Sequence, residues 1–88
     1  MPSAATNMYY VYILKSVKDG NLYIGRTNNV NRRVNEHNRG IVSSTKSRRP
    51  FMLLKTIEVE SEAGSVRVEK EYKKGYKREE IKREFGLR

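Results

Sequence analysis

Two tyrosines, an arginine, a histidine and a glutamate stand at spacings that could bring chemistry together in this 88-residue chain. Tyr12 and Tyr23 flank Lys18-Asp19-Gly20-Asn21, a turn signal in which Asp-Gly tolerates the positive φ of a hairpin. Side chains alternate faces along a strand, so a two- or four-residue turn sets Tyr12, Tyr23 and Gly25 on one face. A three-residue turn breaks that arrangement. A bare glycine at that place admits a ligand or another backbone at close range. Arg33 and His37 fall on one helical stripe with Val30 and Val34, an inward placement that is costly unless each polar group finds a partner. Glu69 repeats the oddity. At about 100° per residue it shares a sector with Ser65, Val66, Val68, Tyr72 and Tyr76. Brought together, these groups could hold a divalent cation on Glu69, neutralise a phosphate with Arg33 and move a proton through a phenol or an imidazole. Taken singly each has a plainer reading: a strand tyrosine is more often core, a lone helix histidine more often core or surface, and an isolated helix glutamate more often solvated.

The elements that must position them are legible in outline. Residues 9–15 are rich in tyrosine and β-branched side chains, which predicts a strand covered on both faces, and 22–27 reads as its returning partner. Asn28 and Asn29 are good helix caps and Gly40 is a good stop. Residues 41–50 read as a basic, hydroxyl-rich loop, and 51–59 as a third strand. Ser61 caps a second helix running to about Lys74, with Gly64 and Ser65 predicting a frayed start. Gly75 then interrupts, and 76–85 reads as a last charged helix with Ile81 and Phe85 on one side. The order β-β-α-β-α-α predicts an α+β domain with a small three-stranded antiparallel sheet flanked by helices. Residues 1–7 are expected to be a disordered leader before a single domain over 8–88, with Met8 either the original start or an internal methionine.

Composition narrows the function. The chain carries 19 Lys and Arg against 10 Asp and Glu, a net charge of +9. Residues 15–55 hold ten of the cations and two acids, Asp19 and Glu36, whereas 56–88 is nearly balanced. A positive face of this kind calls for a polyanion, most simply nucleic acid, and the loop Lys46, Ser47, Arg48, Arg49 is the natural place to touch phosphates. The absence of cysteine excludes disulfides and thiolate metal sites, and one histidine excludes a multi-histidine cage. No apolar segment approaches the roughly 20 residues a bilayer needs, and no secretory signal is visible. We therefore expect a cytoplasmic domain with no membrane partner and no small-molecule cofactor.

Val11-Tyr12, then Tyr23-Ile24-Gly25, then the helix from Asn29 to Asn38, then Arg48-Arg49-Pro50 and finally Val66 to Lys74 resemble, in order and spacing, the GIY-YIG nuclease superfamily. The similarity is greatest to its small stand-alone bacterial members and covers about residues 8–75. The resemblance implies a metal-dependent endonuclease that hydrolyses DNA phosphodiester bonds, selective for structure more than sequence, with a role in repair or recombination. It implies catalytic roles for Tyr12, Tyr23, Arg33 and His37, and makes Glu69 the ligand of Mg²⁺ or Mn²⁺. Tyr12, alone or relaying to His37, would accept the proton of the attacking water, which leaves either residue as the final base. For that a phenol near its ordinary pKa of about 10 must be lowered by nearby cations such as Arg26 or Arg33. Arg26, Arg32, Arg39, Lys46, Arg48 and Arg49 are the expected nucleic-acid contacts.

The chain departs from the family pattern in three places. Tyr10 replaces the glycine that opens the first motif, the late asparagine of some relatives has no counterpart after Asn38, and no appended DNA-recognition domain is expected. Two alternatives share the same charge: a non-catalytic nucleic-acid-binding module on this scaffold, and a basic protein riding on RNA.

Overall fold

The structure is a computed structural model that describes residues 8–87; the leader over 1–7 lies outside the described residues. Strand β1 (Tyr9–Ser16) is the centre of a three-stranded sheet of order β2-β1-β3, with β2 (Leu22–Thr27) and β3 (Phe51–Val59) antiparallel on either side. Its central place explains its composition: Val11, Tyr12, Ile13 and Leu14 are all buried, with neighbours on both faces. The β1–β2 hairpin closes through a four-residue turn, with Ser16 N–H donating to the Asn21 carbonyl and Gly20 at φ +75°. That turn length pairs Tyr12 with Gly25 and Leu14 with Tyr23, so the two tyrosines share a face as predicted.

Helix α1 (Val30–Asn38) covers that face. Asn29 caps it by accepting from Arg32 N–H, and Gly40, at φ +81°, lets Ile41 N–H return to the Glu36 carbonyl. The Asn38 amide ties the helix to β3, accepting from Phe51 N–H at 2.7 Å and donating to the Phe51 carbonyl. Tyr12, Leu14 and Phe51 form the small core beneath α1, with Tyr23 and Val34 against them. Val11, Ile13, Leu22 and Ile24 face the other way and pack with Val68, Tyr72 and Ile81 of α2 (Glu62–Tyr72) and α3 (Gly75–Glu84).

Several local expectations are corrected. The loop over 41–50 contains a 3-10 turn, Lys46–Arg48. Helix α2 does not fray at Gly64 and Ser65: both are buried, Ser61 accepts from Gly64 N–H, and Ser65 Oγ donates to the Glu62 carbonyl. A Cβ at Gly64 would lie 2.8 Å from Val59 Cγ1, so this glycine permits close helix–strand packing. Because α2 stops at Tyr72, its stripe does not continue to Tyr76, which belongs to α3 and is exposed. Ile81 is buried in the core, while Phe85 lies past the end of α3 and stays 37% exposed. No helix among the described residues is long and apolar enough to cross a membrane.

Candidate active site

Four of the predicted residues meet beneath α1. Tyr12 and His37 are 1% and 0% exposed, and the Tyr12 hydroxyl lies 2.8 Å from His37 Nε2. Tyr23 packs beside them, its ring centroid 6.3 Å from Tyr12 and 5.0 Å from His37. It is half-buried, and its hydroxyl makes no hydrogen bond among the described residues. Gly25 sits directly across from Tyr12, but it does not open the sheet to a ligand. A Cβ there would lie 2.5 Å from the Tyr12 hydroxyl, so the glycine makes room for that phenol.

A fifth residue, Thr45, completes the arrangement and was not singled out from the sequence. Its Oγ1 lies 2.8 Å from His37 Nδ1 and faces the Val42 carbonyl at 3.4 Å. The Val42 carbonyl can only accept, which directs the threonine proton towards it and leaves Oγ1 to accept from His37 Nδ1–H. Nε2 is then the accepting nitrogen, and Tyr12 donates to it. The result is a directed chain from Tyr12 through His37 to Thr45. Its only sequence signal was a threonine in a hydroxyl-rich loop, eight residues beyond the histidine.

Electrostatics correct one expectation. Burial dominates Tyr12 and pushes its pKa up to about 12, and the Arg33 guanidinium beside it opposes this only in part. Tyr12 therefore keeps its proton at neutral pH, held towards His37. Burial and the Arg33 charge lower the His37 pKa below its ordinary 6.5, so the imidazole is neutral and able to accept. Arg33 is not a free phosphate ligand: its Nη1 donates to Glu36 Oε1 at 2.9 Å.

Glu69 comes from the other side of the sheet, at the β2 edge. Its carboxylate is 18% exposed and pairs with Arg26 Nε and Lys73 Nζ, each at 3.2 Å. Its charge still reaches Tyr12, where it helps to raise the phenol pKa. Among the described residues no three His, Asp or Glu side chains converge, so a cation held at Glu69 would take fewer than three such ligands from the protein. That donor set suits Mg²⁺, which keeps several waters and completes its shell on phosphate oxygens. Arg26 and Lys73 must then yield the carboxylate.

The other predicted basic residues divide. Arg39 and Lys46 are exposed with no ion pair among the described residues, and Arg49 is exposed with its Nε donating to the Lys46 carbonyl. Arg32 pairs with Glu36 at 3.5 Å. Arg48 is structural: it holds Asp19 at 2.8 Å, keeping that carboxyl down at about 2, and lies over the Phe51 ring.

The chain is 40% identical over 74 residues to a UPF0213 protein of Syntrophus aciditrophicus, covering 82% of this chain and 84% of that one. It is 39% identical over 75 residues to a UPF0213 protein of Staphylococcus haemolyticus, covering 84% and 90%. The match to a UPF0213 protein of Nitratidesulfovibrio vulgaris, 45% identical over 56 residues, covers 61% of this chain and spans only half the length of that relative. The solution structure of the UPF0213 protein BH0048 from Bacillus halodurans superposes with a TM-score of 0.52 at 38% identity, covering 84% of this chain and 81% of that one. The family model for the GIY-YIG catalytic domain matches residues 8–83, and the chain belongs to that family.

Proposed function

We propose that this protein is a divalent-metal-dependent endonuclease that hydrolyses DNA phosphodiester bonds, selecting substrates by structure more than by sequence. The observation that carries the reading is the buried chain from Tyr12 to His37 to Thr45, set beneath a cationic edge. Burying a phenol, an imidazole and a hydroxyl costs desolvation that an apolar core would avoid. In the proposed mechanism the proton of the attacking water passes to Tyr12 Oη as Tyr12 hands its own proton to His37 Nε2. No free phenolate is needed, which suits a phenol with a raised pKa. Thr45 holds His37 in the accepting tautomer. Arg33 offsets charge growing on the phosphate, and Tyr23, the more exposed phenol, orients the phosphate or the water. Arg26 and Lys73, released from Glu69, would bind the same phosphate. A divalent ion held by Glu69 would supply charge to stabilise the leaving oxygen. Exposed Arg39, Lys46 and Arg49 would grip the DNA backbone, and the reading places the activity in repair or recombination.

The test is cleavage of supercoiled plasmid and of labelled single-stranded, nicked and branched DNA with Mg²⁺, with Mn²⁺ and with chelator. Wild type should nick only with metal, and Glu69→Gln and Arg33→Ala should lose activity. Cleavage that survives both substitutions at near-normal rate overturns the proposal. A second reading, a DNA-binding module without turnover, is favoured by one feature: both Glu69 oxygens are already neutralised by cations. It predicts binding on every substrate and cleavage on none.

A further inference from the structure

We infer that the cleft along the outer edge of β2 is a second phosphate-binding subsite, anchored by Arg78, which holds the DNA strand beside the bond that is cut. The cleft has a volume of about 450 Å³ and is lined by residues 21–24 together with Arg48, Lys73 and Arg78. Three cations and no acid line it. Its size falls within the ~300–1,000 Å³ of small-ligand sites. Of the three cations Arg78 is the least engaged. Arg48 is held by Asp19 and Lys73 by Glu69, whereas Arg78 has no carboxylate within ion-pair distance among the described residues. Its neighbours on α3 do pair, Lys77 with Glu80 and Lys82 with Glu79. A partly buried guanidinium without an acid, facing a cationic cleft, suits the two-point geometry of a phosphate.

The cleft joins the candidate active site at two points. Tyr23 forms part of its wall and packs against His37 in the same cluster. Lys73 lines it while its ammonium reaches Glu69. A strand with its reacting phosphate between Tyr23 and Glu69 would thus pass its neighbouring phosphate towards Arg78. The identity of that strand rests on the nuclease reading above; the anionic chemistry of the cleft does not.

The experiment measures binding to a labelled single-stranded DNA in chelator, so that no cleavage occurs, from 50 mM to 300 mM salt. Wild type is compared with Arg78→Ala and with Arg67→Ala, an exposed arginine of α2 outside the cleft. Losing one phosphate contact removes about 0.7 from the slope of log affinity against log salt, or about five-fold in affinity at 0.1 M salt. Arg78→Ala should show that loss, Arg78→Lys should recover the slope, and Arg67→Ala should match wild type. An unchanged slope in Arg78→Ala, or equal losses in the two alanine variants, overturns the inference. A protein that never cleaves DNA but shows this Arg78-dependent slope defeats the nuclease reading and leaves the subsite standing.

Discussion

Replacing Tyr12 by phenylalanine tests the buried proton chain through stability, independently of activity. At neutral pH the substitution removes the donor to His37 Nε2 and leaves that nitrogen buried without a partner. The expected cost is about 1–3 kcal/mol, with melting lowered by about 4–8 °C for each kcal/mol in a domain of this size. The alkaline behaviour is more diagnostic. Burial raises the Tyr12 pKa from 10.0 to about 12, so between those values the folded state binds more protons than the unfolded one. Stability must then fall as pH rises through this window. The slope peaks at about 1.1 kcal/mol per pH unit near pH 11, and the loss at pH 11 is about 1.4 kcal/mol. Phenylalanine has nothing to lose. Urea unfolding of both proteins from pH 8 to pH 11.5 isolates the effect, because other tyrosines and lysines are common to both. The stability advantage of wild type should shrink by that amount at pH 11. A difference that stays flat from pH 8 to pH 11.5 would refute the claim that burial governs this phenol.

Thr45→Val should leave His37 Nδ1–H without its acceptor, costing about 1–3 kcal/mol, and should lower cleavage about ten-fold or more, whereas Thr45→Ser keeps both; unfolding and single-turnover assays decide. In Gly25→Ala the new methyl meets the Tyr12 hydroxyl, and forcing it aside should cost about 1–3 kcal/mol and abolish cleavage with DNA binding retained. Because His37 must be neutral to accept, cleavage should fall in acid as the imidazole, with its pKa below 6.5, gains a proton. The rate should level off by about pH 7; a ten-fold rise per unit through pH 9 would instead mean that free Tyr12 phenolate is the base. Glu69→Gln releases Lys73 from its carboxylate and leaves Arg26 with Glu62 alone, so it should bind DNA at least as tightly as wild type while losing metal-dependent cleavage. Anisotropy alongside gel assays checks both halves.

Much of the fold was legible because local chemistry and global packing agree. A run of tyrosine and β-branched residues became the central strand, Asp19-Gly20 turned the hairpin, and Asn29 and Gly40 bounded α1 as their backbone preferences require. The inward position of His37 followed from its helical period, and the pairing of Tyr12 with Gly25 from strand alternation and turn length. The misreadings share one cause. Gly64 looked like a weak helix start until Val59 was placed beside it, and Tyr76 belonged to the α2 stripe only while the helix was assumed to run on.

The sequence by itself therefore determined the element order, the shared face of the two tyrosines, the basic middle of the chain and the family resemblance. These depend on residue types at fixed separations along the chain. Only the tertiary structure decided what each polar group faces. It put Thr45 behind His37, brought Arg26 of β2 to Glu69 of α2, and buried Tyr12 so deeply that its pKa moves up where neighbouring cations alone would have moved it down. Desolvation and contacts between elements depend on distances across the fold, which no spacing along the chain encodes, whereas the helix pairs Arg33–Glu36 and Glu69–Lys73 follow from i,i+3 and i,i+4 spacing.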